Sequence, residues 1–273
     1  MNHHYLAVAL ITISTIGVTA CANNYQNSNT TSAKSMPTSA SSAVIASPSW
    51  SYTGNTGPEY WGDNEEASAC KIGEQQSPIN IKNVTTTTTN VPTIDYSKSV
   101  SLNIHDNGHT VVYTPTTHNN AITLNNERFE LKQFHYHTPS EHQFGNQNYP
   151  AELHFVHANS AGNLAVVGVM LQQGKANDVM RVLLNGTQQS AANKTAFTTS
   201  NVDLSALISA MPTFYHYAGS LTTPPCSEKV QWYVSKQPLE LAGDQLAILS
   251  HLYEGNNRPV QSQGSRVVEQ ISK

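Results

Sequence analysis

Residues 133–142 read QFHYHTPSEH, and the fold turns on whether this stretch is a strand. Side chains alternate between the two faces of a strand, so His135 and His137 would point one way and Phe134 and Tyr136 the other. Two imidazoles on one face, followed by an acid and a further histidine, point to a shared ligand. Taken alone, an H-x-H pair is also what partly exposed surface histidines look like, so the neighbouring sequence has to decide.

A second alternating stretch follows at 150–159, YPAELHFVHAN being its fuller form from Tyr149. Here Glu152, His154 and Val156 share one face, and Leu153, Phe155 and His157 the other. Between the two stretches lie Pro139, Gly145 and Pro150, turn residues that allow an antiparallel pair. Facing side chains in such a pair are roughly 5 Å apart, so His154 completes a three-nitrogen cluster with His135 and His137. Three neutral imidazoles suit zinc, and only three protein ligands leave the fourth tetrahedral position open to water, as in a catalytic site. Gln133 lies two residues before His135, and Glu152 two before His154. Each is placed to direct the proton on its ligand's outer nitrogen.

The rest of the chain reads as β-rich. Strands are expected at 100–105, 109–113, 129–137, 151–159, 164–171, 213–218 and 230–235. Helical periodicity is confined to 176–185, 203–211 and 242–253, the last closed by Gly255. With no internal repeat and no second linker, the economical reading is one strand-dominated domain over 50–273. Of the residues, 38% are hydrophobic, enough for a sizeable core, and only 12% are charged. A formal net charge of -4 without a Lys/Arg cluster gives no footprint for nucleic acid.

The N-terminus reads as a targeting segment rather than as fold. MNHHYLAVALITISTIGVTAC carries an apolar run shorter than the roughly 20 residues of a membrane span. Residues 1–20 are expected to be a signal peptide. The ending before Cys21 resembles a lipoprotein cleavage site with Cys21 as the lipidated residue, ordinary cleavage near Ala20 being the alternative. Residues 21–49, rich in Ser, Thr, Asn and Ala, bury too little apolar surface to offset ordering entropy and read as a tether. The expected location is exported, periplasmic or cell-envelope, with the membrane reached only through the lipid. If Cys21 carries lipid, Cys70 and Cys226 are left as a pair in an oxidising compartment, or else as two buried thiols.

The segments WSYTGNTGPEYWG, GEQQSPINI, NGHT, FHYHTPSEH, AELHFVH, LAVVGVML, YHYAGSLTTPPC and NNRPVQ occur in the order found in alpha-class carbonic anhydrases, and the domain from Trp50 onward resembles that family. The resemblance implies a mainly β single domain, with a large twisted, mostly antiparallel central sheet, short peripheral helices and a conical cleft. It implies reversible hydration of CO2 to bicarbonate and a proton through a zinc-bound hydroxide, with possible cleavage of activated esters on the side.

Carried over residue by residue, His135, His137 and His154 match the zinc ligands, and Gln133, Glu152 and the Asn256 carbonyl match the groups that hold them. Thr222 matches the threonine that orients the hydroxide and donates its own proton to a carboxylate, here Glu141; an ionised carboxylate can only accept. Val156, Val166, Leu221, Val230 and Trp232 match the apolar substrate wall, with Thr223 nearby. His109 matches the proton shuttle, and Tyr52 and Asn107 the residues that hold its water chain. Cys70 and Cys226 occupy the positions of the disulfide in extracellular members. Ser77-Pro78 and Pro224-Pro225 match cis bonds, and His142, His157 and His216 are expected to make structural hydrogen bonds.

Sulfonamide-type and anion inhibitors are expected partners, and a homodimer is possible by analogy with bacterial relatives. Some family members lack ligands and serve as binding modules, but here all three histidines, Thr222 and Glu141 are present. Val112, at a position often polar, and Asn257, at a position often aromatic, depart from the pattern.

Overall fold

The structure is a computed structural model and describes residues 50–87, 91–208 and 210–272. The expected leader at 1–20, Cys21 and the 21–49 tether lie outside the described residues. The described residues form sixteen strands: Asn80–Ile81 (β1), Val84–Thr87 (β2), Thr93–Asp95 (β3), Val100–Asp106 (β4), Val111–Pro115 (β5), Ala121–Leu124 (β6), Glu127–His137 (β7), Gln143–Phe144 (β8), Gln147–Asn148 (β9), Ala151–Ala158 (β10), Leu164–Gln173 (β11), Phe197–Val202 (β12), Thr213–Ser220 (β13), Glu228–Ser235 (β14), Leu239–Leu241 (β15) and Val268–Ser272 (β16). The helices are Ala69–Ile72 (α1), Asp178–Asn193 (α2), Ser205–Ile208 (α3) and Gly243–Leu252 (α4).

Thirteen strands form one mixed sheet whose main path runs β12-β4-β5-β7-β10-β11-β14-β13-β16-β2, with β3, β6 and β15 at its side. Most pairings are antiparallel, while β11 pairs with β14 and β15, and β16 with β2, in parallel. Alternation then decides what each face buries. On β11, Ala165, Val167, Val169 and Leu171 enter the larger core with Phe134, Tyr136, Leu153 and Phe155. The intervening Val166 and Met170 enter a smaller cluster on the opposite face with Val230, Trp232 and Val234. One sheet therefore separates a packing core from the wall of a cleft.

Three expectations shift. The strand expected from 109 begins at Val111, because Asn107 Oδ1 accepts the N–H groups of His109 and Thr110 and Gly108 takes φ +85, bending the chain into a turn. His109 thus sits at a turn tip. The helix expected over 176–185 runs on to Asn193 because Gly186 is not a stop: a Cβ there would lie 2.4 Å from Ile104 Cδ1, so its bare backbone lets α2 approach β4. The helix ends where Lys194 turns left-handed at φ 51. Of the helix expected over 203–211, only Ser205–Ile208 is helical among the described residues, Asp203 Oδ1 capping the Ala206 N–H. Thr138-Pro139 joins the two expected peptide bonds as cis.

Candidate metal centre and cleft

β7 and β10 pair antiparallel with His135 directly opposite His154 and His137 opposite Glu152. Ring centroids lie 5.0 Å apart for His135 and His137, 5.4 Å for His135 and His154, and 4.6 Å for His137 and His154. One nitrogen from each ring falls within 4.8 Å of the others.

Each outward nitrogen faces an oxygen. His135 Nδ1 donates to Gln133 Oε1 at 2.8 Å, and His137 Nδ1 to the Asn256 carbonyl at 2.6 Å. His154 Nε2 lies 2.9 Å from Glu152 Oε1. A carbonyl oxygen can only accept, so each of the first two rings keeps its lone pair on the inner Nε2. For His154 the inner atom is Nδ1.

Glu152 is the hub. Its Oε2 accepts the backbone N–H groups of Glu141 and His142, both at 2.9 Å, and its Oε1 accepts His142 Nδ1 at 2.7 Å. Burial would raise its pKa, yet His142 and His154 hold it well below the carboxylate range. Burial pushes His135 well below its ordinary value, with His137 and His154 adding to the effect. Burial also lowers His137, against the pull of Glu141. For His154 the burial that would lower it is outweighed by Glu152, and its pKa is raised.

Among the described residues His137 Nε2 is fully buried without a hydrogen-bond partner, and so is Glu141 Oε2, which stands 3.6 Å from it and 3.8 Å from His154 Nδ1. Buried polar atoms are rarely left unpaired. Three inward lone pairs on rings fixed from behind fit a divalent ion such as zinc.

The surroundings separate into an apolar and a polar side. Val166, Val230 and Trp232 are buried, and the half-buried Val156 and Leu221 pack against them. On the other side a cavity of about 110 Å³ is lined by Trp50, Tyr52, Asn107, His109, Thr110, Val112, Gln133, His135, His137 and Thr223. His109 is partly exposed; burial lowers its pKa and Asp106 opposes that shift. Burial, with Glu141 adding, pushes the Tyr52 hydroxyl far up.

Thr222 is buried, but among the described residues its hydroxyl makes no hydrogen bond to Glu141. The backbone N–H of Arg258 takes Glu141 Oε1 at 2.7 Å, and the rings face Oε2. Cys70 and Cys226 are disulfide-bonded, with Cα atoms 5.0 Å apart. The buried His142 and His157 and the half-buried His216 are engaged: His142 Nε2 with the Tyr217 hydroxyl at 2.7 Å, His157 Nε2 with the Tyr96 hydroxyl at 2.5 Å, and His216 Nδ1 with the Trp232 carbonyl at 3.0 Å.

Two residues were not singled out by the sequence reading. Trp50 lies against His109, and Arg258 reaches Glu141 through its backbone. The signal for both was their place inside WSYTGNTGPEYWG and NNRPVQ; neither contact follows from residue type.

Residues 56–272 match the family described as eukaryotic-type carbonic anhydrase. The chain is 42% identical over 222 residues to a carbonic anhydrase of Klebsiella pneumoniae, covering 80% of this chain and 89% of that one. It is 36% identical over 227 residues to a carbonic anhydrase of a Nostoc species, covering 80% and 84%. Its structure superposes on the alpha-carbonic anhydrase of Thermovibrio ammonificans, solved with the inhibitor sulfanilamide. The TM-score is 0.75 at 35% identity, over 82% of this chain and all (100%) of that one.

Proposed function

This chain belongs to the eukaryotic-type, or alpha-class, carbonic anhydrase family, and from that premise we propose that it hydrates CO2 to bicarbonate at a zinc ion held by His135, His137 and His154. The observation that carries the reading is the convergence of three ring nitrogens, two from buried and one from a half-buried histidine, whose outer partners, Gln133, Asn256 and Glu152, are already in place. When bound, zinc would supply Lewis acidity that lowers the pKa of water at the site, a property established for this enzyme class.

The chain's own groups do the rest. Gln133, Glu152 and the Asn256 carbonyl fix ring orientation and tautomer. CO2 has no net dipole and rests against Val156, Val166, Leu221, Val230 and Trp232, a wall that offers it no competing polar contact. Thr222 is assigned to orient the attacking oxygen, donating its own proton to Glu141 in the loaded state. The product proton crosses the cavity past Tyr52, Asn107 and Thr223 to His109, which passes it to buffer. An imidazole, with an ordinary pKa of about 6.5, suits that relay near neutral pH. Cleavage of activated esters is a side activity of the same site. Sulfonamides and small anions are expected to inhibit by taking the open position.

The sequence further supports export, anchorage through lipidated Cys21 at the cell envelope, and a tether over 21–49 before the catalytic domain at 50–273. A homodimer is one possible assembly, by analogy with bacterial relatives alone. The test is CO2 hydration followed by stopped flow with and without a zinc chelator. Catalysis lost on chelation and restored by zinc is expected. A zinc-loaded protein no faster than buffer would overturn the reading.

A further inference from the structure

Gly255 to Arg258 lie in an irregular segment with neither helix nor strand, yet it touches both a proposed metal ligand and the buried carboxylate. The Asn256 carbonyl holds His137 Nδ1, and the Arg258 N–H holds Glu141 Oε1. Asn256 is tied by its own side chain to the Thr138 N–H and to the carbonyls of His109 and Tyr136. Among the described residues, residue 258 has no comparable backbone tie beyond Glu141.

Its side chain supplies one. The Arg258 guanidinium is 1% exposed and donates to Gln76 Oε1 at 2.9 Å, the Ser77 carbonyl at 2.8 Å and the Cys70 carbonyl at 2.9 Å, with the Trp61 ring 5.8 Å away. No carboxylate pairs with it among the described residues. A buried cation held by neutral acceptors is a poor device for stability, since an apolar side chain of similar volume often serves as well or better. Its rigid fork is instead suited to fixing a backbone position.

We propose that Arg258 is a positioning residue: its guanidinium, anchored to Cys70, Gln76 and Ser77, holds its own backbone N–H on Glu141 and, together with the Asn256 side chain, keeps the Asn256 carbonyl on His137. The inference rests on the zinc-centre reading above. Glu141 is also the charge that faces the guanidinium through space, opposing the burial that pushes its pKa down to about 10.

The test compares Arg258→Met, Arg258→Lys and a control, Arg128→Met, at an exposed site, as purified zinc-loaded proteins. Zinc release to a chelator and the pH profile of kcat/KM for CO2 are the readouts, the cobalt-substituted proteins giving the same midpoint from their visible spectra. Arg258→Met is expected to release zinc faster, by up to about tenfold, the low end of the range for losing a ligand's own hydrogen-bond partner because Arg258 acts one bond further out, and to displace the pH midpoint. Arg258→Lys keeps the cation but not the fork, and is expected to fall between Arg258→Met and wild type.

Folded Arg258 variants with wild-type zinc release and pH midpoint overturn the proposal. If both variants fail to fold, amide exchange in the unmodified protein decides: protection of the Arg258 N–H as strong as that of β10 supports the proposal, and exchange at the rate of an exposed loop overturns it. A wild-type protein that holds no zinc, or hydrates no CO2, overturns the underlying reading instead.

Discussion

Trp50 lies flat on His109, ring centroids 3.6 Å apart and planes 9° from parallel. The indole shields one face of the imidazole at the mouth of the cavity, and burial is the first cause of the lowered His109 pKa. Asp106, whose carboxylate accepts the Gly108 N–H in the same turn, acts the other way. The proposed relay is therefore partly covered by a tryptophan that lies before β1 in the chain.

Trp50→Ala is expected to raise the His109 pKa towards the ordinary value of about 6.5. Desolvation disfavours the charged ring, and removing the indole relieves it. An NMR titration of the His109 ring checks this directly, and an unchanged or lower midpoint would contradict it. His109→Ala should slow turnover in dilute buffer and be rescued by added imidazole; rescue marks a lost relay rather than a damaged metal site.

Glu152 gathers His142, His154 and two backbone N–H groups on one carboxylate. Glu152→Gln keeps the shape but replaces an acceptor oxygen by a donor facing two imidazoles. Zinc affinity should drop by roughly 10- to 100-fold, the range for such partners. Chelator competition measures it, and a wild-type curve would show that the ring of His154 is held by packing alone.

How much of this was legible beforehand follows from the range of the physics. Alternation in QFHYHTPSEH and AELHFVH is local, and it set the two strands, their faces and the direct pairing of His135 with His154. The short strands β1, β2, β3, β8, β9 and β15 carry too few residues for a period to register, and their pairing partners supply what the sequence lacks. The expected helix stopped at 185 because periodicity is local, whereas the Ile104 side chain that makes glycine useful at position 186 is remote in sequence. Arg258 and Trp50 were hidden for the same reason, since their contacts join segments far apart in the chain.

The Cys70–Cys226 disulfide bridges residues 156 positions apart. Closing so long a loop restricts the unfolded chain, and the entropy model gives at most about 5 kcal/mol at this length, engineered bonds often giving less. Reduction, or Cys70→Ser with Cys226→Ser, should lower urea stability by about 2–5 kcal/mol. Paired unfolding curves with and without reductant check it; a loss under about 0.5 kcal/mol, the scale of an ordinary surface substitution, would mean that the reduced chain keeps the constraint by other contacts.

His157 predicts the acid limit of the fold. It sits on the core face of β10, its Nδ1 donating to the Ala165 carbonyl at 3.2 Å and its Nε2 accepting from the Tyr96 hydroxyl at 2.5 Å, so the neutral ring is fully matched. Burial pushes its pKa down to about 3, while the unfolded chain titrates near 6.5. Between those values the unfolded state binds the extra proton, so this group's contribution is fully present above about pH 6.5 and is lost as pH falls towards 3, at about 1.4 kcal/mol per pH unit. Urea unfolding at about pH 7, 5.5 and 4.5 should show that slope within a steeper total, and His157→Gln, which cannot titrate, should flatten it by the equivalent of one proton. A variant with the wild-type slope would place the acid sensitivity elsewhere, in the buried carboxylates and histidines around Glu152.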